Sequence, residues 1–165
     1  MTLRPVPDEG VLGMADAFRE AARALNVFPE SRMSVPTVVN AAFALELYLK
    51  SMNVEWQLAD PNERAKAGGK SWLKSRKAIQ TGHDPSKLFA ALVQFNREYL
   101  EQRFQTLCIG TGPQSLAENL AQYDGIFQDW RYAFEGRTRS FDIGRILALL
   151  AFFSDAIHAM PQTWA

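Results

Sequence analysis

The run Val38-Val39-Asn40-Ala41-Ala42-Phe43-Ala44-Leu45-Glu46-Leu47-Tyr48-Leu49-Lys50 constrains the fold more than any other stretch of the chain. Almost every position is apolar, so a helix made from it is greasy on whichever side it presents. Such a helix has to be covered all round by others. Into that setting the sequence places Asn40, Glu46 and Lys50. Asn40, Phe43, Leu47 and Lys50 share one stripe at spacings of three and four, with Glu46 three beyond Phe43. A carboxylate on a buried helix demands a partner or a proton.

Around this rod the apolar periodicity lays out further helices. Asp8 caps a first helix to about Leu25, with Leu12, Ala15, Phe18, Ala22 and Leu25 on one side. Ser34 caps the central helix, Pro36 fits its first turn, and it ends near Met52 or Asn53. From Asn53 to Gly82 the pattern is least regular, with Pro61, Gly68, Gly69 and Gly82 and a short helical piece expected around Trp72. A stretch this long inside a compact domain is an insertion, functional or flexible. Asp84-Pro85 starts a third helix that is expected to run unbroken to Ile109, where Gly110-Thr111-Gly112-Pro113 stops it. A fourth segment begins near Ser115 and is interrupted at Gly125, and the last helix runs from Asp142 to about Met160. No alternating, hairpin-bounded strand is expected. The sum is an all-α, up-down bundle of roughly five helices. It forms a single domain over residues 1–165, carrying an irregular basic insertion at 53–82.

Totals narrow the chemistry. With 18 Lys and Arg against 18 Asp and Glu the chain as a whole is no polyanion binder, so a nucleic-acid role needs a local patch. A single cysteine, Cys108, makes no internal disulfide or thiolate cluster. His83 and His158 are too few for a histidine-rich metal site, and Asp155 and His158 on the last helix have no matching second pair. No metal or cofactor is expected. The first residues lack a signal-type apolar run, and Ile146 to Phe153 is too short to span a bilayer. A soluble, cytoplasmic protein with no membrane partner is the expectation.

Three groups of residues carry possible function. Arg131, between Trp130 and Tyr132, has an aromatic setting that suits a half-buried guanidinium, and its planar fork matches a carboxylate. A Glu46–Arg131 pair in a polar core site with Asn40 and Lys50 is therefore expected, more a lock on helix register than a reacting centre. His83, in Gly82-His83-Asp84, sits just before a helix cap, placed either as a base or phosphate contact or as a loop residue packing on the bundle end. Lys66, Lys70, Trp72, Lys74, Arg76 and Lys77, with Arg64 before them, form a basic run around an aromatic. That is the composition single-stranded nucleic acid contacts use, although charge runs are more often solvated surface.

With these residues in view the chain resembles the HEPN superfamily, the small helical domains of prokaryotic toxin–antitoxin, abortive-infection and defence loci. The resemblance rests on Asn40 through Lys50, on Gly82-His83-Asp84-Pro85-Ser86-Lys87-Leu88-Phe89, and on Phe127-Gln128-Asp129-Trp130-Arg131-Tyr132-Ala133-Phe134-Glu135. It implies a helical bundle that often dimerises and, in active members, a metal-independent ribonuclease. Those members carry an Arg, usually followed by a polar residue, with a His a short helical step later. This chain departs from that pattern. Arg131 has no such histidine after it, Arg145 and His158 are too far apart, and Arg76 with His83 is a forced match. No catalytic residue carries over. The expected function is that of a non-catalytic HEPN-like domain binding a protein partner, a second copy or RNA. The alternatives are a divergent ribonuclease using His83 with Arg131 or Arg76, and a purely scaffolding bundle.

Overall fold

The computed structural model describes residues 2–28, 31–66, 68, 72–107, 114–136 and 142–164. Two short strands, β1 (Thr2–Leu3) and β2 (Pro5–Val6), precede helix α1 (Glu9–Asn26). A 3-10 turn at Ser31–Met33 leads into α2 (Ser34–Ser51), followed by β3 (Val54–Leu58), α3 (Pro61–Lys66) and β4 (Leu73–Ala78). Then come α4 (Pro85–Ala90), α5 (Gln94–Leu107), α6 (Leu116–Ala121) and α7 (Ile126–Arg131). A 3-10 turn at Ala133–Glu135, α8 (Ile143–His158) and β5 (Thr163–Trp164) close the chain. The protein is mostly helical, as the periodicity predicts.

Helix α2 is the hub, packing on α1, α4, α7 and α8. Val38, Ala41, Ala44, Leu45 and Tyr48 on it are all fully buried. Its alanines let neighbouring backbones approach closely, while Leu45 and Tyr48 supply the apolar area. Helix α1 runs antiparallel beside it. The Asp8 N–H donates to the Ser51 carbonyl at 2.7 Å, and Phe18 stacks on Phe43 with centroids 5.1 Å apart. Asp8 caps α1 as expected, its carboxylate accepting from the Val11 N–H at 2.8 Å. Met33, not Ser34, holds the cap position of α2, and no side chain caps that end.

Elsewhere the elements divide differently from expectation. The third helix is two, α4 and α5, separated at Ala91–Val93. Arg97 turns back to donate to the Ala90 carbonyl, filling an acceptor that the break exposes, and Leu92 is buried in the gap. The glycine-rich stop at 110–113 lies outside the described residues. Gly125 does interrupt the fourth segment. With φ at 75° it stands at the N-terminus of α7, a backbone state that glycine adopts at little cost.

The larger correction concerns residues 53–82. Instead of an irregular insertion they contain β3, α3 and β4, and the helix expected around Trp72 is a strand beginning at Leu73. These strands and β1 form an antiparallel sheet in the order β1-β3-β4, with Trp56 opposite Arg76 and Glu55 opposite Lys77. Strands β2 and β5 pair separately. Asp8 bolts the larger sheet to the bundle: besides capping α1 it accepts from the Trp56 indole N–H at 2.6 Å and lies 3.9 Å from Arg76. Gly10 leaves room for that guanidinium, since a side-chain carbon there would collide with it.

Candidate functional site

Two carboxylates stitch the start of α4 to the turn before α7. Asp124 accepts from both the backbone N–H and the hydroxyl of Ser86, while Asp84 accepts from the Gly125 N–H at 3.1 Å. Asp84 occupies the cap position of α4, yet its side chain takes a backbone N–H at the start of α7 rather than one of its own helix. Its other oxygen takes Lys87 at 2.6 Å, and that hydrogen bond holds the Asp84 carboxyl below the usual carboxylate range. Gly82, at φ 105°, makes the turn that sends His83 toward the same place.

The outcome is that His83 lies over Phe127 of α7, ring centroids 5.1 Å apart at 30°. Phe127 in turn meets Phe43 of α2 edge-on at 4.4 Å. His83 Nδ1 sits 2.8 Å from the Glu46 carboxylate, and the other Glu46 oxygen accepts from Lys50 at 2.6 Å. Glu46 is nearly buried, its side chain 8% exposed against 44% for His83. A carboxylate accepting from Nδ1–H fixes the ring and leaves Nε2 as its second nitrogen for a ligand.

Arg131 does not meet Glu46. Among the described residues its guanidinium bonds the Tyr132 hydroxyl at 2.6 Å and lies over two rings, Phe127 at 5.2 Å and Tyr132 at 4.7 Å. The expected pair fails because Lys50, one helical turn from Glu46, is already in reach and needs no second element to be positioned. Asn40 is also outside the cluster, donating instead to the Pro36 carbonyl at 2.7 Å. His83 and Arg131 therefore meet on Phe127, and His83 ties in Glu46 and, through it, Lys50. The three segments that carry the family resemblance meet there.

The basic run behaves otherwise. Arg76 is turned inward to Asp8 and over the Trp56 ring at 5.0 Å. Lys74 bonds Glu63 at 2.5 Å, which raises its pKa and lowers that of Glu63. Trp72 is 64% exposed, but the Arg64 guanidinium covers one face at 3.1 Å from the ring centre. Lys66 and Lys77 are exposed. Lys70 lies outside the described residues. Folding thus engages much of the cationic charge that the linear run offers.

A second histidine–carboxylate pair escaped the sequence. His158 Nε2 stands 2.7 Å from Asp16, and the other Asp16 oxygen accepts from Tyr48 at 2.6 Å and Ser154 at 3.0 Å. Burial pushes the Asp16 carboxyl upward, but the bonds from Tyr48, His158 and Ser154 prevail and hold it below its ordinary value. Burial, reinforced by the bond to Asp16, pushes the Tyr48 hydroxyl well above its own. The missing signal is tertiary: Asp16 and His158 sit on α1 and α8, which nothing local in the sequence aligns. Among the described residues no group of three or more His, Cys, Asp and Glu is placed to hold a metal ion, and no helix is long and apolar enough to cross a membrane.

Compared with protein-family models, curated proteins and solved structures, the chain matches none.

Proposed function

We propose that the chain is a non-catalytic, HEPN-like helical domain that acts in the cytoplasm by binding RNA at the cluster around Phe127. The convergence of His83 and Arg131 on that one ring carries the reading. With Lys50 offsetting Glu46, the cluster keeps the charge of Arg131. A phosphate is the natural counter-ion for such a group, and the partly exposed Tyr132 beside Arg131 offers a ring for a base. The HEPN-like character, with its association to toxin–antitoxin and defence loci, rests on the resemblance of the three segments that meet here.

Fluorescence anisotropy with a labelled single-stranded RNA, a metal chelator present, tests this. Saturable binding is expected, with Arg131→Ala weakening it and flattening its dependence on log salt by about one unit. Lys66→Ala and Lys77→Ala are expected to leave it unchanged. Binding that ignores Arg131 and His83 but follows the two lysines would move the interface to the sheet. Absence of saturable binding would end the RNA reading.

One observation favours a second reading, a divergent metal-independent ribonuclease. Glu46 holds His83 by Nδ1, as a general base or acid is held, and Arg131 lies on the same ring as a cation for the scissile phosphate. RNA fragments produced by the wild type but not by His83→Ala would establish it over simple binding.

A further inference from the structure

We propose that the open side of the α1–α2 pair is a docking surface for a second copy of this chain. Helix α1 has three sides. Leu12, Ala15 and Ala22 are buried against the bundle. Glu9, Asp16, Glu20 and Arg23 follow one another at spacings of seven, four and three and make a polar stripe. The third side carries Met14, Ala17, Phe18, Ala21, Ala24 and Leu25, none of them polar. A surface helix ordinarily gives its water-facing side to charged and polar residues. Here that side is apolar: Met14 is 53% exposed, Ala17 and Ala24 are exposed, and Phe18, Ala21 and Leu25 are half-buried.

Helix α2 widens the open side. Phe18 stacks on Phe43, and both Phe43 and Leu47 are only partly buried. Phe28, just past the end of α1, is 54% exposed. A helix that is apolar all round has to be covered all round, and along this stripe α2 is not. Single exposed apolar side chains are ordinary, whereas a contiguous set on two neighbouring helices marks an interaction surface.

Shape, charge and area identify the occupant. Large and small side chains alternate along the open side of α1. Let a second α1 cross it antiparallel, with the two-fold axis at Ala21. Each Ala17 then lies opposite Leu25 of the other copy, and each Phe18 opposite Ala24, so a large side chain enters the space that a small one leaves. Glu20 accepts from Arg19 at 3.0 Å and from Arg23 at 3.1 Å. The charges bordering this side of α1 are thus engaged within their own helix, and they offer no free group to an acidic or basic partner. Helices α1 and α2 are 18 residues each, so about 27 Å long, and packed helices lie about 9 Å apart. Side by side they offer about 500 Å² per copy, and the pair covers on the order of 1,000 Å², where specific interfaces begin.

Sedimentation equilibrium of the full chain, at rising concentrations up to its solubility limit, tests this. A reversible monomer–dimer equilibrium is expected. Met14→Glu and Ala17→Glu put a carboxylate on the open side at positions that face water in the single copy. Each is expected to weaken dimerisation by about tenfold or more with the circular dichroism spectrum kept. Because the two-fold axis brings each Ala21 to its counterpart, Ala21→Cys in a Cys108→Ser background is expected to form a disulfide-linked dimer with oxidised glutathione. Glu98→Cys, at an exposed position of α5, is expected to stay unlinked. A monomer at every concentration would overturn the proposal, and so would a dimer whose strength neither glutamate alters. Should both glutamate variants fail to fold, equal linking of Ala21→Cys and Glu98→Cys decides against it. Arg131→Ala is expected to leave the equilibrium as it is, so self-association and RNA binding are read at separate residues and either can fail without the other.

Discussion

Asp16 gathers three donors from two other helices onto one carboxylate, and its ionised form is what they bond. A carboxyl held below its ordinary 3.8 contributes stability that is fully present above that value. As pH falls through the lower folded value, the proton competes with Tyr48, Ser154 and His158 and the contribution is lost. Acid unfolding followed by circular dichroism should therefore show wild-type stability falling as pH drops below about 4, with Asp16→Asn less stable at neutrality and flatter over the same range. Parallel curves for the two proteins would mean that other carboxylates dominate acid unfolding. The contrast with Glu46 shows what single positions disclose. Its burial follows directly from the apolar residues on either side of it, whereas its partner is Lys50, four residues on, and not the Arg131 that the sequence suggests. His83 as its second partner depends on where Gly82 turns the chain, which spacing does not encode.

Asp8 joins helix α1 to the larger sheet, and both roles act through one buried side chain. Asp8→Ala removes the α1 cap and the hydrogen bond that the Trp56 indole N–H donates to its carboxylate. The cap alone is worth about 1 kcal/mol and a hydrogen bond to a charged group about 1.5–3 kcal/mol. A loss of about 2–4 kcal/mol in urea melts is expected. Hydrogen exchange should accelerate in both the first turn of α1 and β3. Exchange changing in α1 alone would show the sheet to be anchored elsewhere. Helices α1, α2 and α8 were legible because each carries an apolar face or surface through four or more turns. Strand β3 was also written in the sequence, since Val54, Trp56 and Leu58 alternate with Glu55 and Gln57. Five residues between helices give too short a run to outweigh the helical pattern on either side. Its partner Leu73-Lys74-Ser75-Arg76-Lys77-Ala78 is mostly polar because Lys74 through Lys77 are exposed on both faces of an edge strand. No tight hairpin joins the two strands, as α3 intervenes, so the usual turn signal is absent.

Helix α2 packs on α1, α4, α7 and α8, so none of these four can loosen without uncovering the hub. The Phe127 cluster draws its groups from α2, α7 and the loop before α4, so its geometry is a property of that whole arrangement. Ala44, fully buried on α2, tests this coupling. Ala44→Leu adds three carbons where the packing has no space for them, and overpacking of this kind costs about 1–3 kcal/mol. Trp56 in the sheet and Trp130 on α7 report from two distant parts, while the far-ultraviolet signal reports the helices. In the variant both signals should shift to lower denaturant together and remain superimposable, as a single cooperative transition requires. A tryptophan transition in two steps, only one of which follows the loss of helicity, would separate the sheet from the bundle. It would also mean that the Asp8 contact is too weak to make the two parts melt as one.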